Sequence, residues 1–360
     1  MALYDLVFKG GGAKGNAFVG ALQAFNAAGH QHRCLVGTSA GAITAVLLGA
    51  GYTPEEMLAA ATETLPSTND PVFTTFMDAP IRGDFTKADI DKSDSMRIVR
   101  MSPLPGFVED TLMETLLKLD LYRELYSFNE CGGFYAGNAF LHWFREKLNQ
   151  KGLSPDITWR DFAARTREDV SVVTSDTTEK KQVVLNHRTA PDCPVAMSVR
   201  MSMSIPFVWR EIVWEENWGK YQDHEKAGHI FVDGGVLSNF PLRLVTERVP
   251  DIMGDTDPDA AGTIGLFLDG TIPADGKEGA TPHPRLRVAD RVTRLIDTMT
   301  DAEDQRVMAA HQDCVCRIPV GGFGTTEFRM SAERQAVLIN SGREAMTKYL
   351  GSIQGRCAAA

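Results

Sequence analysis

Apolar and polar positions alternate along the chain in a way that assigns the first fifty residues clearly. Leu6-Val7-Phe8 is a short apolar run that stops at three glycines, the pattern of a buried strand entering a tight turn. From Asn16 to Ala28 the apolar residues fall at helical spacing, and Gly29 stands where a left-handed C′ residue is wanted. Cys34-Leu35-Val36 reads as a second strand, Gly37 to Gly41 as a second glycine turn, and the residues to about Gly49 as an apolar helix. A third helix opens with Thr53 as N-cap, Pro54 at the first helical position and Glu56 completing a capping box. Strand, glycine turn and helix, twice in succession, is the start of a parallel α/β sheet.

Further along, the pattern changes. Between about Leu65 and Gly106 five prolines and scattered Phe and Met residues predict an irregular insertion. It is read either as a lid or acyl-chain surface or, the preferred reading, as a loop packed on the core. Helices are expected near Val108–Leu125 and Ala139–Gln150. Asp169–Val173 and Gln182–Leu185 read as strands joined by a turn at Thr177–Lys180. Short apolar strands are expected at Ile230–Val232, Thr263–Leu268 and Cys314–Ile318, and helices at Arg285–Ala310 and Ser331–Leu350. No internal repeat and no clear linker divides the chain, so one domain over residues 1–360 is expected. Its core would span about 4–270, with a C-terminal region of about 271–360 whose role is open.

The 360 residues are long enough to bury a sizeable core. Hydrophobic residues at 43% and charged residues at 23% exclude a disordered chain, a coiled coil and a collagen-like fibre. A net charge of −10 argues against non-specific nucleic-acid binding and against attraction to anionic lipid by charge alone. The longest apolar stretch, Ala42–Ala50, is far short of the ~20 residues of a spanning helix. The start MALYDLVFKGGG lacks the layout of a secretory signal peptide. A cytoplasmic location is therefore expected unless a dedicated secretion system reads another signal. The six cysteines are too scattered for a disulfide framework and no Cys/His group has zinc-ligand spacing, so they read as free thiols; no EF-hand or other calcium loop appears, and no metal is expected. His142, His187, His224, His229, His283 and His311 are spread out without paired spacing and read as surface or packing residues.

Three glycine motifs carry candidate chemistry. Gly10-Gly11-Gly12-Ala13-Lys14-Gly15 fits G-x-G-x-x-G after a strand, but the second strand ends without the carboxylate that a dinucleotide ribose needs. What remains is a loop of backbone N–H groups at a helix N-terminus, which stabilises an anion. Lys14 either contacts a bound phosphate or, the preferred reading, only supports the loop. Gly37-Thr38-Ser39-Ala40-Gly41 is G-x-S-x-G between strand and helix, the layout that exposes a nucleophilic serine. Asp233-Gly234-Gly235 ends the strand Ile230–Val232 and presents a carboxylate between small residues. An α/β-hydrolase is disfavoured, because its oxyanion loop and nucleophile come after more strands than precede Ser39.

Taken together, the three motifs resemble those of the patatin-like phospholipases, and Ser202-Met203-Ser204-Ile205-Pro206 resembles the block that precedes D-G-G in that family. The resemblance covers about residues 4–270. It implies a three-layer α/β/α fold around a mainly parallel sheet. It implies a lipid acyl hydrolase (phospholipase A, lysophospholipase or carboxylesterase) that needs no cofactor. Ser39 would be the nucleophile and Asp233 the base of a Ser-Asp dyad. Residues Gly10 to Gly15 would form the oxyanion loop; Gly37, Thr38, Ala40 and Gly41 would shape the elbow; Gly234 and Gly235 would support the aspartate. The alternatives are a thioesterase or acyltransferase using the same acyl-serine, which an Arg or His near Ser39 would favour, and an inactive lipid-binding protein. The partners implied are a lipid or ester and a peripheral membrane or micelle surface. The apolar segments expected to make any membrane contact, as a lipid-facing surface near the mouth of the site, are Phe73/Phe76/Met77 and Pro206-Phe207-Val208-Trp209.

Overall fold

The computed structural model describes residues 2–101, 105–255, 262–274 and 287–359. His283 and the first two residues of the helix expected from Arg285 lie outside the described residues. Among the described residues the strands are β1 (Leu3–Phe8), β2 (Gln31–Thr38), β3 (Gly133–Tyr135), β4 (Asp169–Asp176), β5 (Lys181–Leu185), β6 (Phe207–Trp209), β7 (Ile212–Val213), β8 (Ile230–Asp233), β9 (Gly262–Pro273) and β10 (Val315–Gly321). The main sheet runs β10-β9-β1-β2-β4-β8-β7, with β5 also paired to β4. From β10 to β4 neighbours are parallel; β5 and β8 run antiparallel to β4, and β7 antiparallel to β8. β3 and β6 pair in parallel as a separate ribbon.

The helices are α1 (Asn16–Ala27), α2 (Ala40–Gly49), α3 (Pro54–Ala61), α4 (Lys87–Lys92), α5 (Asp94–Arg100), α6 (Gly106–Leu116), α7 (Asp120–Cys131), α8 (Asn138–Gln150), α9 (Trp159–Thr166), α10 (Val195–Ser202), α11 (Arg243–Thr246), α12 (Pro250–Met253), α13 (Arg287–Ala310) and α14 (Ala332–Ala359). Among the described residues no helix is long and apolar enough to cross a membrane.

Successive strand residues point to opposite faces, and both faces are buried here, as a parallel sheet requires. Leu6 and Phe8, Leu35, Val172, Leu266 and Ile318 pack under α1, α2, α8, α10 and α14. Val7, Cys34, Val36, Val173, Phe267 and Val315 pack against residues 240–253 and against Val307 and Met308 of α13. That makes three layers, α/β/α, as the motifs implied. The C-terminal region extends this sheet: β10 pairs with β9, and α14 packs along α1.

The segment from 65 to 106 is not irregular throughout. Thr86 and Ser93 cap α4 and α5, and Phe85, Ile90 and Met96 join Met113, Leu117 and Tyr126 in a small core of their own. Helices of six and seven residues are too short to show an apolar period. The stretch expected as one helix over 108–125 is two, α6 and α7, broken at residues 117–119.

Candidate active site

Between the end of β2 at Thr38 and the start of α2 at Ala40 the chain turns on one residue, Ser39, at φ 54° and ψ −120°. A non-glycine residue held in such a region stores about 1–3 kcal/mol. Gly41 makes the turn feasible, since a methyl there would collide with the carbonyl of Phe8. The Ser39 N–H donates to Ser202 Oγ at 2.9 Å, and that hydroxyl donates to the Val173 carbonyl at 2.6 Å. Thr38 Oγ1 donates to the Ser238 carbonyl at 3.1 Å.

Asp233 is far from Ser39 in the chain, and β4 brings the two regions together by changing partner along its length. Val173 of β4 is in register with Thr38 of β2, and the next residue, Thr174, with Asp233 of β8. The Asp233 N–H donates to the Ser204 carbonyl at 2.8 Å, and Asp233 Oδ1 accepts the Gly235 N–H at 2.7 Å. The end of α10 and the residues just after it thus hold both candidates, Ser202 through its side chain and Ser204 through its backbone. Ser39 and Asp233 are both buried, at 7% and 5% exposure. Arg200 of α10 is buried too and braces Ser204. It donates to Ser204 Oγ, and to the Ala136 carbonyl at 2.8 Å. Burial pulls its guanidinium down to about 10, against the opposing effect of Asp78.

The glycine loop sits at the N-terminus of the short helical turn leading into α1, with Gly10 against Ser39: a Cβ there would lie 3.2 Å from Ser39 Cβ. Most of the loop's N–H groups are committed. Gly10 donates to the Asn239 carbonyl and Ala13 to the Thr325 carbonyl, both at 2.9 Å, and Lys14 to the Gly11 carbonyl at 3.2 Å. Those of Gly11 and Gly12 have no partner among the described residues. Gly12 is at φ 55°, and a methyl there would collide with the Thr325 carbonyl. Two unpaired N–H groups at a helix start, beside a strained serine, can stabilise an oxygen anion.

Several supporting residues carry no sequence pattern that would have singled them out. Lys9 is buried at the end of β1, 3.2 Å from Asp304 and 3.7 Å from Asp301 of α13, with its ammonium 4.1 Å from the Phe267 ring centre. Burial pushes the Asp304 carboxyl up, and Lys9 pulls against it. Asp304 Oδ1 also accepts the Phe240 N–H at 3.1 Å, so α13 is tied to the loop that follows Asp233. Lys14 lines a cavity at the glycine loop, with Lys9, Arg294 and Asp301.

Ser39 opens onto a different cavity, with a mostly apolar wall. Ile43 and Leu47 of α2, Met57 and Ala60 of α3, and Phe140 and Trp143 of α8 are among the residues that line it. Phe76 and Trp209 line it too and are buried, which corrects their assignment to a lipid-facing surface. Of the segment around Pro206, only the Phe207 ring reaches far into solvent. No histidine or arginine among the described residues lines this cavity. His229 instead meets Asp176 at 2.9 Å, near Glu179, and His32 meets Glu168 at 3.1 Å. Asp176, Glu179 and His229 converge closely enough to suggest a cation site. The Lys226 ammonium, 2.9 Å from both carboxylates, already supplies the positive charge there.

With this geometry in hand, similarity to known proteins can be weighed. The family model of the patatin-like phospholipases matches residues 6–246. YqhO, an uncharacterized protein of Bacillus subtilis strain 168, is 28% identical over 357 residues, covering 96% of this chain and 97% of its own. The probable lipid hydrolase 463L of Invertebrate iridescent virus 6 is 24% identical over 237 residues, 66% of this chain and 61% of the viral protein. Among solved structures, VipD of Legionella pneumophila has a similar fold, with a TM-score of 0.52 at 18% identity over 97% of this chain and 67% of VipD.

Proposed function

The chain belongs to the patatin-like phospholipase family, and from that premise we propose that it cleaves fatty-acyl ester bonds of lipids by a Ser-Asp dyad. Ser39 attacks the ester carbonyl while Asp233 takes its proton. The Gly11 and Gly12 N–H groups receive the tetrahedral oxyanion, a contribution of about 3 kcal/mol per donor. The proton held on Asp233 passes to the leaving alcohol as the C–O bond breaks, and the acyl group stays on Ser39. Water then gives a proton to Asp233 and attacks the acyl carbonyl, and Asp233 returns that proton to Ser39 Oγ as its bond to the acyl carbon breaks, releasing the fatty acid and regenerating the serine. The acyl chain occupies the apolar cavity beside Ser39.

The single observation that carries this reading is the strained Ser39 at the head of a mostly apolar cavity. An acyl chain gains by leaving water for such a wall, at roughly 25 cal/mol per Å². A thioesterase or acyltransferase would call for a group at Ser39 to activate its acceptor, and the cavity wall offers no arginine or histidine among the described residues. The test pairs hydrolysis of a nitrophenyl ester and of a phospholipid with fluorophosphonate labelling read by intact mass. Ser39→Ala should lose the label and at least about a thousandfold in turnover, and Asp233→Asn should lose turnover comparably. A single label that persists in Ser39→Ala would refute the assignment. Labelled Ser39 with no hydrolysis but transfer to an added thiol or alcohol would favour the acyltransferase.

A further inference from the structure

We propose that an apolar stripe on α7, continued by Phe207, seats the protein on an uncharged lipid surface; this rests on the lipid-hydrolase reading above. A surface helix normally turns its apolar stripe toward the core. In α7, Tyr126 does pack inward, yet Leu121, Leu125 and Phe128, at positions i, i+4 and i+7, form a second stripe that is 69%, 50% and 36% exposed. Continuous apolar surface of this kind on a soluble protein marks an interaction site. The stripe does not end on the helix. Phe128 stacks on Phe134 with ring centres 4.5 Å apart and comes within 5.9 Å of Phe207.

Phe207 is held at φ 66°, a conformation that bulky residues rarely adopt, and is 49% exposed. Its neighbours in the chain, Ile205 and Trp209, line the Ser39 cavity. The outward apolar surface is thus joined through one short strand to the wall of the site that takes an acyl chain, and this proximity selects a lipid surface as the occupant. Charge selects the kind of lipid. α7 carries Arg123 against Asp120, Glu124 and Glu130, so it has nothing to offer anionic headgroups. Insertion of the Leu and Phe side chains into the acyl boundary supplies the attraction.

The test uses the full chain carrying Ser39→Ala, so that hydrolysis does not consume the lipid, floated with phosphatidylcholine vesicles. Binding should persist at high salt and weaken at least tenfold when Leu121→Asp and Leu125→Asp are added. With Ser39 intact, the double substitution should keep kcat/KM on a soluble butyrate ester within twofold and lose at least tenfold on vesicle phospholipid. Vesicle binding unchanged by the two aspartates, or binding that requires anionic lipid and falls with salt, would overturn the proposal. So would a dimer in sedimentation that the two aspartates dissociate, since a second copy would then cover the stripe. Failure of the wild type to cleave either substrate would count against the hydrolase reading, while flotation would still decide this one.

Discussion

Ser202→Ala isolates the contact that holds the nucleophile turn in its strained form. The Ser39 N–H belongs to the first turn of α2 and has no acceptor within the helix; Ser202 Oγ accepts it at 2.9 Å and passes a bond on to Val173 at 2.6 Å. Ser202, Ser39 and Val173 are all buried. Removing the hydroxyl leaves a buried donor unsatisfied, at about 1–3 kcal/mol. Ser39 can avoid part of that cost by relaxing from φ 54°, which recovers strain of similar size but moves Oγ off line. Either way about 2 kcal/mol is taken from the reactive geometry, which corresponds to about 30-fold in rate. The assay is the second-order rate of fluorophosphonate labelling alongside kcat and KM on a nitrophenyl ester. Labelling and kcat should fall together by about 30-fold with KM nearly unchanged, and Ser202→Thr, which keeps the hydroxyl, should recover most of the rate. If Ser202→Ala lowers the melting temperature but labels within twofold of wild type, the bond supports only the fold and the reasoning is wrong.

Three further substitutions follow from the same structure. Burial pushes the Asp176 carboxyl up, but hydrogen bonds from His229, the Glu179 N–H and Lys226, with the Lys226 charge, bring it below its ordinary value. A depressed carboxyl stabilises the fold above its unfolded-state value of ~3.9, and that stability is lost as pH falls toward the folded-state value. Asp176→Asn should therefore cost about 3 kcal/mol at pH 7 and less at pH 3 in urea unfolding; an equal loss at both would exclude the linkage. Ala60→Phe narrows the cavity on the α3 side and should lower kcat/KM for long-chain esters at least tenfold while leaving butyrate esters within threefold; parallel losses on both would mean that acyl chains do not reach Ala60. Phe207→Gly relieves a left-handed φ worth about 1–2 kcal/mol and forfeits a ring contact of about 1 kcal/mol. Its melting temperature should be unchanged or higher while vesicle hydrolysis drops, and an equal drop on soluble ester would place Phe207 in the site itself.

The strands and helices that hold the motifs were legible because each is announced locally. Glycines follow Phe8, enclose Ser39 and follow Asp233, and a strand or helix boundary falls at each. The capping box at Thr53 formed as its residues dictate, with Thr53 Oγ1 accepting the Glu56 N–H at 3.2 Å. Less was legible where elements are short or depend on remote partners. α9 is only eight residues long and the strands of the β3–β6 ribbon three each, too short to stand out in the chain; α10 is buried along most of its length, and a helix surrounded by core has no polar face to reveal it.

By itself, then, the chain determined the layered parallel sheet, the glycine loop, the serine turn and the aspartate at a strand end, because backbone freedom at glycine and the run of apolar residues act over a few positions. Tertiary structure decided what those pieces meet. It is the change of partner along β4 that brings Thr38 and Asp233 to adjacent residues, and the fold that spends the N–H groups of Gly10, Ala13 and Lys14 while leaving those of Gly11 and Gly12. It also sorted the aromatic residues, turning Phe76 and Trp209 into the cavity and Phe207 outward. Burial is a property of what lies on the other side of a residue, and that partner comes from elsewhere in the chain.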